Sequence, residues 1–548
     1  MPQAEVDIEP TVAWLGARAS VDGSSAAVIS ADGETCFAEL NARAKAIAHG
    51  LHARGVGPGA RISVLAEPSA DFIALLHACQ REGLVFAPMN LRLTASELGA
   101  QLAKLAPALV VTDSPPPTSP IAQILCVSFD ELSAGVRESG DDVPSSAAWA
   151  TSAASAASAT SATSATSATS ATDPPPIDLD APLTVLFTSG TSARPKAVVH
   201  TSRHHMASAR AVIRHLGLTR GDAWLAAVPL YHVGGLSIVF RSVLAGFPVI
   251  LGDPAAPQTE RARVASLVPT QLARLLPADA AADADGSTPR VPAERKNGLA
   301  GVIASGVTAA RESSRPTIVL GGGPAASALI NRAVGAGLRI VTSYGMTETG
   351  SQVTATDPFT EPVDTVTAGA PLAGVEIAIA DADARGIGEI RVRAPQVMTG
   401  YLDDPEADAA ALEGGWLRTG DLGRVDEQGC LSVLTRRCDL IITGGENVVP
   451  EEVESVLDGH PDVREAAVFA RPDEIWGQAV AAAVVLETGS AKRLASDSLA
   501  EDLREWCRSR LAGYKLPREF VFVPELPRTR SGKLSRRSLM ERYGGAGD

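Results

Sequence analysis

Leu186-Phe-Thr-Ser-Gly-Thr-Ser-Ala-Arg-Pro-Lys-Ala-Val-Val-His200 is a hydroxyl- and glycine-rich loop set between two apolar runs. Thr188, Ser189, Thr191 and Ser192 supply hydroxyls, Gly190 supplies a flexible backbone, and Lys196 supplies one cation. Successive backbone N–H groups in such a loop form a concavity for anions, and hydroxyl donors add to it. The parts are those needed to hold a polyphosphate. The ordinary P-loop, G-x-x-x-x-G-K-[ST], runs from a strand into a helix. Here Pro195 precedes the lysine, Ala197 follows it, and Ala-Val-Val reads as a strand, so this is a different phosphate loop. Taken by itself, the stretch also reads as a polar surface turn.

Working outward, the chain of 548 residues is too long for one core and predicts two or more domains. Its 45 % hydrophobic and 20 % charged residues are ordinary for a globular protein. A formal charge of -15 argues against a nucleic-acid surface spread over the whole molecule. The charge reverses locally near the end, where Arg528, Arg530, Lys533, Arg536 and Arg537 cluster; this is a solvated basic terminus or a mobile arm that meets phosphate. Six cysteines, Cys36, Cys79, Cys126, Cys430, Cys438 and Cys507, show no C-x-x-C spacing, which suits a reducing compartment and gives no structural zinc site. Met1-Pro-Gln-Ala-Glu-Val-Asp7 lacks a basic start and apolar core, so no signal peptide is expected and a cytoplasmic location is the default. Ala223–Phe240 is uncharged and about as long as a membrane span, but Pro229, Tyr231, His232, Gly234 and Gly235 interrupt it. It reads as two buried strands joined by a functional loop, and no membrane span is expected. A monomer and a homo-oligomer are both compatible with the sequence.

The first third alternates helix and strand patterns. A helix is expected over Phe37–Gly55, a strand over Ile62–Ala66, a helix over Asp71–Glu82 and a strand over Ala108–Thr112. Thr94-Ala-Ser-Glu97 is a capping box that opens a further helix. Strands separated by helices of this length predict a mainly parallel sheet covered on both faces. Residues 141–176, with Ser-Ala-Thr triplets and a Pro174-Pro-Pro176 run, have almost nothing to bury and read as a disordered insertion. Residues 277–316 read as a second, less extreme insertion. After about residue 430 the pattern becomes a small α+β unit. Strands are expected at Leu431–Thr435, Leu440–Thr443, Val463–Ala470, Ala479–Leu486 and Phe520–Val523, and a helix at Leu499–Leu511. Pro450-Glu-Glu452 starts another helix, with proline in the first turn and acids at the positive dipole end. The join falls near Arg436–Asp439, dividing the chain into 1–436 and 437–548.

Further signals follow the loop in order. Leu320-Gly-Gly-Gly-Pro324 leaves a strand with glycines that let a flat ring approach the backbone. Ser343-Tyr-Gly-Met-Thr-Glu-Thr349 offers an aromatic face, hydroxyls and one carboxylate. Trp416-Leu-Arg-Thr-Gly-Asp421 places a carboxylate where it can accept two ribose hydroxyls. Thr435 to Asn447, which contains Gly444-Gly-Glu-Asn447, and Pro527-Arg-Thr-Arg-Ser-Gly-Lys-Leu534 close the set. Each is modest alone, whereas all in this order are specific.

On these residues the chain resembles the adenylate-forming superfamily of acyl- and aryl-CoA ligases, luciferases and peptide-synthetase adenylation domains, from about residue 10 to 540. The resemblance implies an α/β fold. A large N-terminal domain would hold two helix-flanked β-sheets and a small distorted β-barrel, and a small mobile α+β C-terminal domain would close over it. It implies ATP, Mg²⁺ and coenzyme A as co-substrates and cofactor. Thr188, Ser189, Gly190, Thr191, Ser192 and Lys196 would meet the β- and γ-phosphates. Gly321, Gly322, Gly323, Pro324, Tyr344 and Gly345 would frame adenine, and Thr347 would lie near the α-phosphate. Glu348 would bind the metal, while Asp421 and Arg436 would hold the ribose. Lys533 would bridge the substrate carboxylate and α-phosphate, and Gly444, Gly445, Glu446 and Asn447 would approach the pantetheine tunnel. Ala193 departs from the family's usual glycine, and Cys438 from its usual Asp, Lys or Ser hinge residue.

For the acid, Pro229-Leu-Tyr-His-Val-Gly-Gly-Leu-Ser-Ile-Val-Phe-Arg241 resembles the o-succinylbenzoate–CoA ligase subgroup of menaquinone synthesis, as do Val268-Pro-Thr-Gln-Leu272 and Tyr344–Gln352. Tyr231 and His232 suit an aromatic acid. His232, Ser237, Arg241 and Thr270 are the candidate acid-binding residues. A diacid needs a cation for the carboxylate that does not react, and a bidentate arginine is the best one. Arg241 equally reads as half of a structural ion pair on a helix, and His232 as a core histidine. The alternative is a ligase for a fatty, cinnamic or benzoic acid.

Overall fold

Both apolar runs beside the loop are strands. Pro182–Thr188 and Lys196–Thr201 pair antiparallel with Thr188 opposite Lys196, which pins the two ends of the loop one strand spacing apart. The computed structural model describes residues 8–113, 124–134, 175–188, 195–276, 298–304, 315–323, 325, 327–436, 441–487, 496–528, 534 and 536–545. Ser189, Gly190, Thr191, Ser192, Ala193, Pro324, Cys438, Arg530 and Lys533 lie outside them, as do the Arg436 side chain and nearly all of the Ser-Ala-Thr segment.

The hairpin belongs to a seven-stranded sheet that also contains Val85–Pro88, Arg61–Leu65 and Leu109–Thr112, paired parallel. A nine-stranded sheet lies behind it. Its centre, Arg339–Met346, Thr317–Leu320, Val264–Leu267, Trp224–Ala226, Val249–Ile250 and Ala26–Ser30, is parallel, and antiparallel strands close both edges. One core joins the two, with Trp14, Phe37, Phe72, Phe86, Trp224 and Phe240 buried together. A small antiparallel sheet built on Gly388–Arg393 and Trp416–Val425 follows. The C-terminal unit has a sheet of its own around Val463–Asp473 and Gly477–Leu486, with a separate core of Ile441, Val453, Leu457, Val468, Leu503 and Cys507. The fold class is therefore the α/β arrangement that the strand and helix alternation implies.

The helices Phe37–Ala53 and Ala70–Glu82 and the strands Arg61–Leu65 and Leu109–Thr112 fall within a residue or two of the periodicity. One reading is corrected. Ala223–Phe240 is not two strands: Trp224–Ala226 is a strand, but Val233–Ala245 is a helix. The run is buried on every side, so it carries no amphipathic period, and a wholly apolar stretch does not distinguish strand from helix. Its termini do. His232 is extended as N-cap, and Gly246, at φ 83°, ends the helix in the left-handed region. A Cβ on Gly235 would sit 2.3 Å from the Pro229 carbonyl oxygen, so only glycine lets the helix start turn back on the preceding strand exit. Fully buried Arg18 completes the far end by donating to the carbonyls of Val243 (2.9 Å) and Leu244 (2.6 Å). Within the second expected insertion, Gly298–Ala304 is a helix whose Leu299 and Ala300 are buried. Among the described residues, no helix is long and apolar enough to cross a membrane.

Candidate active site

A cavity of about 690 Å³ opens between the ends of the two large sheets and the C-terminal unit. Thr188, Lys196, His232, Arg241, Gly321, Gly322, Gly345, Thr347, Glu348, Asp421, Gly445 and Asn447 all line it, from seven separate stretches of chain. A second cavity of about 660 Å³ adjoins it, sharing Gly322, Gly345, Asp421 and Gly445 and adding Gly323 and Tyr344. Thr270 lines only this second space, so the structure does not group it with Arg241.

Three clusters make up the site. At the mouth of the hairpin, Thr188 Oγ1 is buried without a hydrogen-bond partner among the described residues. The Lys196 ammonium lies 4.6 Å above the Tyr401 ring, and the Tyr401 hydroxyl donates to Glu348 Oε1 at 2.9 Å. Burial, then the Glu348 charge, raises the Tyr401 pKa, so the phenol stays a donor. His200 Nε2 donates to the Thr347 carbonyl at 2.7 Å. Burial pulls the His200 pKa down to about 4, so this imidazole is neutral and acts as a fixed peg under the Thr347–Glu348 turn. Tyr401 and His200 were not singled out in the sequence, although His200 ends the quoted loop stretch. Their signal is positional, because strand Gly400–Tyr401 pairs with Lys196–Thr201 only in the folded sheet.

At the opposite wall, the buried Tyr344 hydroxyl donates to Asp421 Oδ2 at 2.7 Å. Strand pairing sets Asp421 opposite Arg436. The aromatic face, Gly322, Gly323 and the carboxylate thus border one space.

The third cluster lies inside. Arg241 is 1 % exposed, its Nη2 donates to Ser351 Oγ at 3.2 Å, and its guanidinium stands 5.0 Å over the Trp224 ring. Ser237 Oγ is 3.4 Å from the same Ser351 hydroxyl. Ser351 has φ 104°, a strained conformation for a side-chain-bearing residue. No carboxylate pairs with Arg241 among the described residues, and its Nε is buried without a partner. Burial lowers its pKa to about 9, so it remains a cation at neutral pH.

The C-terminal unit reaches this wall through the hairpin turn Gly444–Gly445, both at positive φ. A Cβ on Gly444 would lie 2.6 Å from the Trp476 ring. Glu446 is buried and engaged three times, by Arg92 Nη1 (3.1 Å), Tyr231 Oη (3.2 Å) and His232 Nε2 (3.3 Å). Burial alone would raise its pKa, but the His232 bond and the Arg92 charge outweigh it and hold the carboxyl below its ordinary value. His232 is therefore tied to the C-terminal unit as well as facing the cavity. Asn447 Oδ1 is buried with no partner among the described residues.

A phosphate-type hairpin, a glycine turn beside a Tyr–Asp pair and an apolar pocket with a buried cation define a nucleotide-dependent acid-activating enzyme. Residues 16–402 match the model of the AMP-binding enzyme family, and residues 452–533 match the AMP-binding enzyme C-terminal domain. The chain belongs to that family of adenylate-forming acid–CoA ligases. It is 32 % identical to the 2-succinylbenzoate–CoA ligase of Listeria monocytogenes, over 97 % of this chain and 99 % of the relative. Among solved structures it is similar to a double mutant of o-succinylbenzoate CoA synthetase from Bacillus subtilis bound with its product analogue (33 % identity, 97 % and 99 % coverage, TM-score 0.78). It is also similar to that enzyme in complex with its acyl-adenylate intermediate (32 % identity, 98 % and 99 % coverage, TM-score 0.63).

Proposed function

We propose that this protein activates o-succinylbenzoate as an acyl adenylate and transfers the acyl group to coenzyme A, a step of menaquinone synthesis. The observation that carries the substrate is Arg241: a buried guanidinium on the pocket wall, with a serine hydroxyl and a tryptophan face for company and no carboxylate among the described residues. Such a group is costly unless an anion joins it. A diacid brings one: its succinyl carboxylate reacts while its ring carboxylate pairs with Arg241. A fatty, cinnamic or benzoic acid would leave the cation unanswered. The names of the relatives point the same way.

In the first step a carboxylate oxygen of the acid attacks the α-phosphorus of ATP in line, and pyrophosphate leaves. Little covalent work falls to the protein, which positions the partners and stabilises spreading charge. Residues 188–196 cradle the β- and γ-phosphates, Gly321–Pro324 and Tyr344 border adenine, and Asp421 with Arg436 takes the ribose. The orphaned Thr188 hydroxyl and the buried Glu348 carboxylate fit a hydrated cation, so Glu348, beside Thr347, would hold Mg²⁺. Bound there, the ion neutralises phosphate charge. Lys533 joins carboxylate and α-phosphate. In the second step the CoA thiolate attacks the activated carbonyl and AMP leaves. Lys533 must vacate the site first, which calls for a swivel between lobes 1–436 and 437–548. Gly444–Asn447 then borders the pantetheine path, and His232, Ser237 and Arg241 hold the acid.

An ATP–pyrophosphate exchange screen with o-succinylbenzoate, benzoate, coumarate and octanoate tests the reading. Exchange with o-succinylbenzoate well above the rest is expected, whereas preference for a monoacid would refute the substrate. Lys533→Ala is expected to lower adenylate formation by about 10²–10³ while still passing a supplied acyl adenylate to CoA. Equal loss of both half-reactions would remove Lys533 from its assigned role.

A further inference from the structure

The capping box Thr94–Glu97 does two jobs. The Thr94 N–H donates to Glu97 Oε2 at 2.8 Å and starts helix Ala95–Leu105. The other oxygen, Oε1, accepts from Lys515 Nζ at 2.5 Å, from a turn of the C-terminal unit more than four hundred residues away in sequence. The same ammonium donates to Glu452 Oε1 at 2.7 Å, in helix Pro450–Asp458 of its own unit. Lys515 is 5 % exposed. Burial works against its charge, but Glu452 and Glu97 together outweigh burial and raise its pKa above that of an ordinary lysine. Two further contacts join the same surfaces: Thr94 Oγ1 lies 3.3 Å from the Arg510 carbonyl oxygen, and Asn90 Nδ2 lies 3.5 Å from the Tyr514 hydroxyl.

The arrangement of partners is asymmetric. Separation of the lobes would break only the Glu97 arm. Lys515 would leave with Glu452, and Glu97 would keep its helix cap and regain water. At this joint neither Lys515 nor Glu97 is left as an orphaned buried charge, so the usual large penalty for breaking a buried ion pair is avoided there. A joint of this kind holds one arrangement and still releases.

We propose that Glu97 and Lys515 form a releasable latch that selects the lobe arrangement used for transfer to CoA, with both acting as positioning residues remote from the reacting atoms. The inference rests on the two-step reading above. It is supported by the closer match of this chain to the product-analogue complex (TM-score 0.78) than to the acyl-adenylate complex (0.63) of the same relative.

Glu97→Gln in the full chain tests it, since glutamine can still close a capping box but carries no charge to the lysine. Three readouts are compared with wild type: the inter-lobe distance distribution from one dye on each lobe, single-turnover acyl transfer to CoA from isolated o-succinylbenzoyl adenylate, and ATP–pyrophosphate exchange. The latch predicts a distribution shifted away from the wild-type distance, transfer slowed about tenfold by the population shift, and exchange equal or faster. Lys515→Met combined with Glu97→Gln should slow transfer no further than Lys515→Met alone, as for two residues acting as one unit. An unchanged distance distribution, or transfer and exchange falling together, overturns the latch. If wild type makes no adenylate from o-succinylbenzoate, the substrate reading fails, and the distance measurement still decides the latch.

Discussion

Arg241 and Lys515 are both cations withdrawn from water, at 1 % and 5 % exposure, yet their surroundings are opposite. Lys515 sits between Glu97 and Glu452, with its charge answered by the chain itself. Arg241 has a hydroxyl, a ring face and a cavity. A buried charge must be compensated, and the source of the compensation tells what the charge does. Where the fold supplies the anion, the group is a joint. Where the fold withholds it beside a cavity, the group is proposed as a receptor.

This contrast can be broken most sharply at Arg241. Arg241→Met should lower kcat/KM for o-succinylbenzoate by about 10²–10³, as when one partner of a buried hydrogen-bonded charge pair is truncated, while the melting temperature stays the same or rises. Steady-state kinetics and a thermal melt of one preparation check both halves. A marked fall in melting temperature with equal loss for every acid would make the arginine structural. The matching change at the joint should behave in the opposite sense. Lys515→Met leaves two carboxylates facing each other across the joint, and up to about 3 kcal/mol of stability should go, the low end for a broken buried pair because Glu97 can regain water as the lobes part. Urea unfolding reads it, and an unchanged midpoint would erase the distinction between the two cations.

The smallest effect sharpens the comparison through pH. Burial lowers the Arg241 pKa to about 9, so the free enzyme holds the cation below that value and loses its proton as pH rises through it. Above pH 9, kcat/KM for the diacid should fall about tenfold per unit, since that parameter reports free-enzyme ionisations. A monoacid, lacking the second carboxylate, should not show this limb. Parallel profiles for both acids would count against Arg241.

Much of this was legible in the residues. The hairpin either side of the loop and the capping box at Thr94 announced themselves by local pattern, whereas Leu431–Arg436, read as the first strand of the C-terminal α+β unit, pairs instead with Trp416–Val425 of the preceding sheet. The helix Val233–Ala245 did not announce itself, because burial on all sides erases the period that separates helix from strand. Arg241 could be named as a candidate, but its lack of a carboxylate partner among the described residues depends on which distant segments pack against it. The same holds for Tyr401 and His200 around Glu348–Thr347, which only sheet pairing brings together. Glu97 showed its cap from four residues of sequence and its second bond only from the fold.

The receptor assignment is tested most directly by one ratio: kcat/KM for o-succinylbenzoate over that for benzoylpropionate, the same molecule without its ring carboxylate, in wild type and in Arg241→Met. The wild-type protein should favour the diacid by about 10² or more, and the variant should lose or invert that preference. A wild type indifferent to the ring carboxylate, or a variant that keeps the preference, would contradict it.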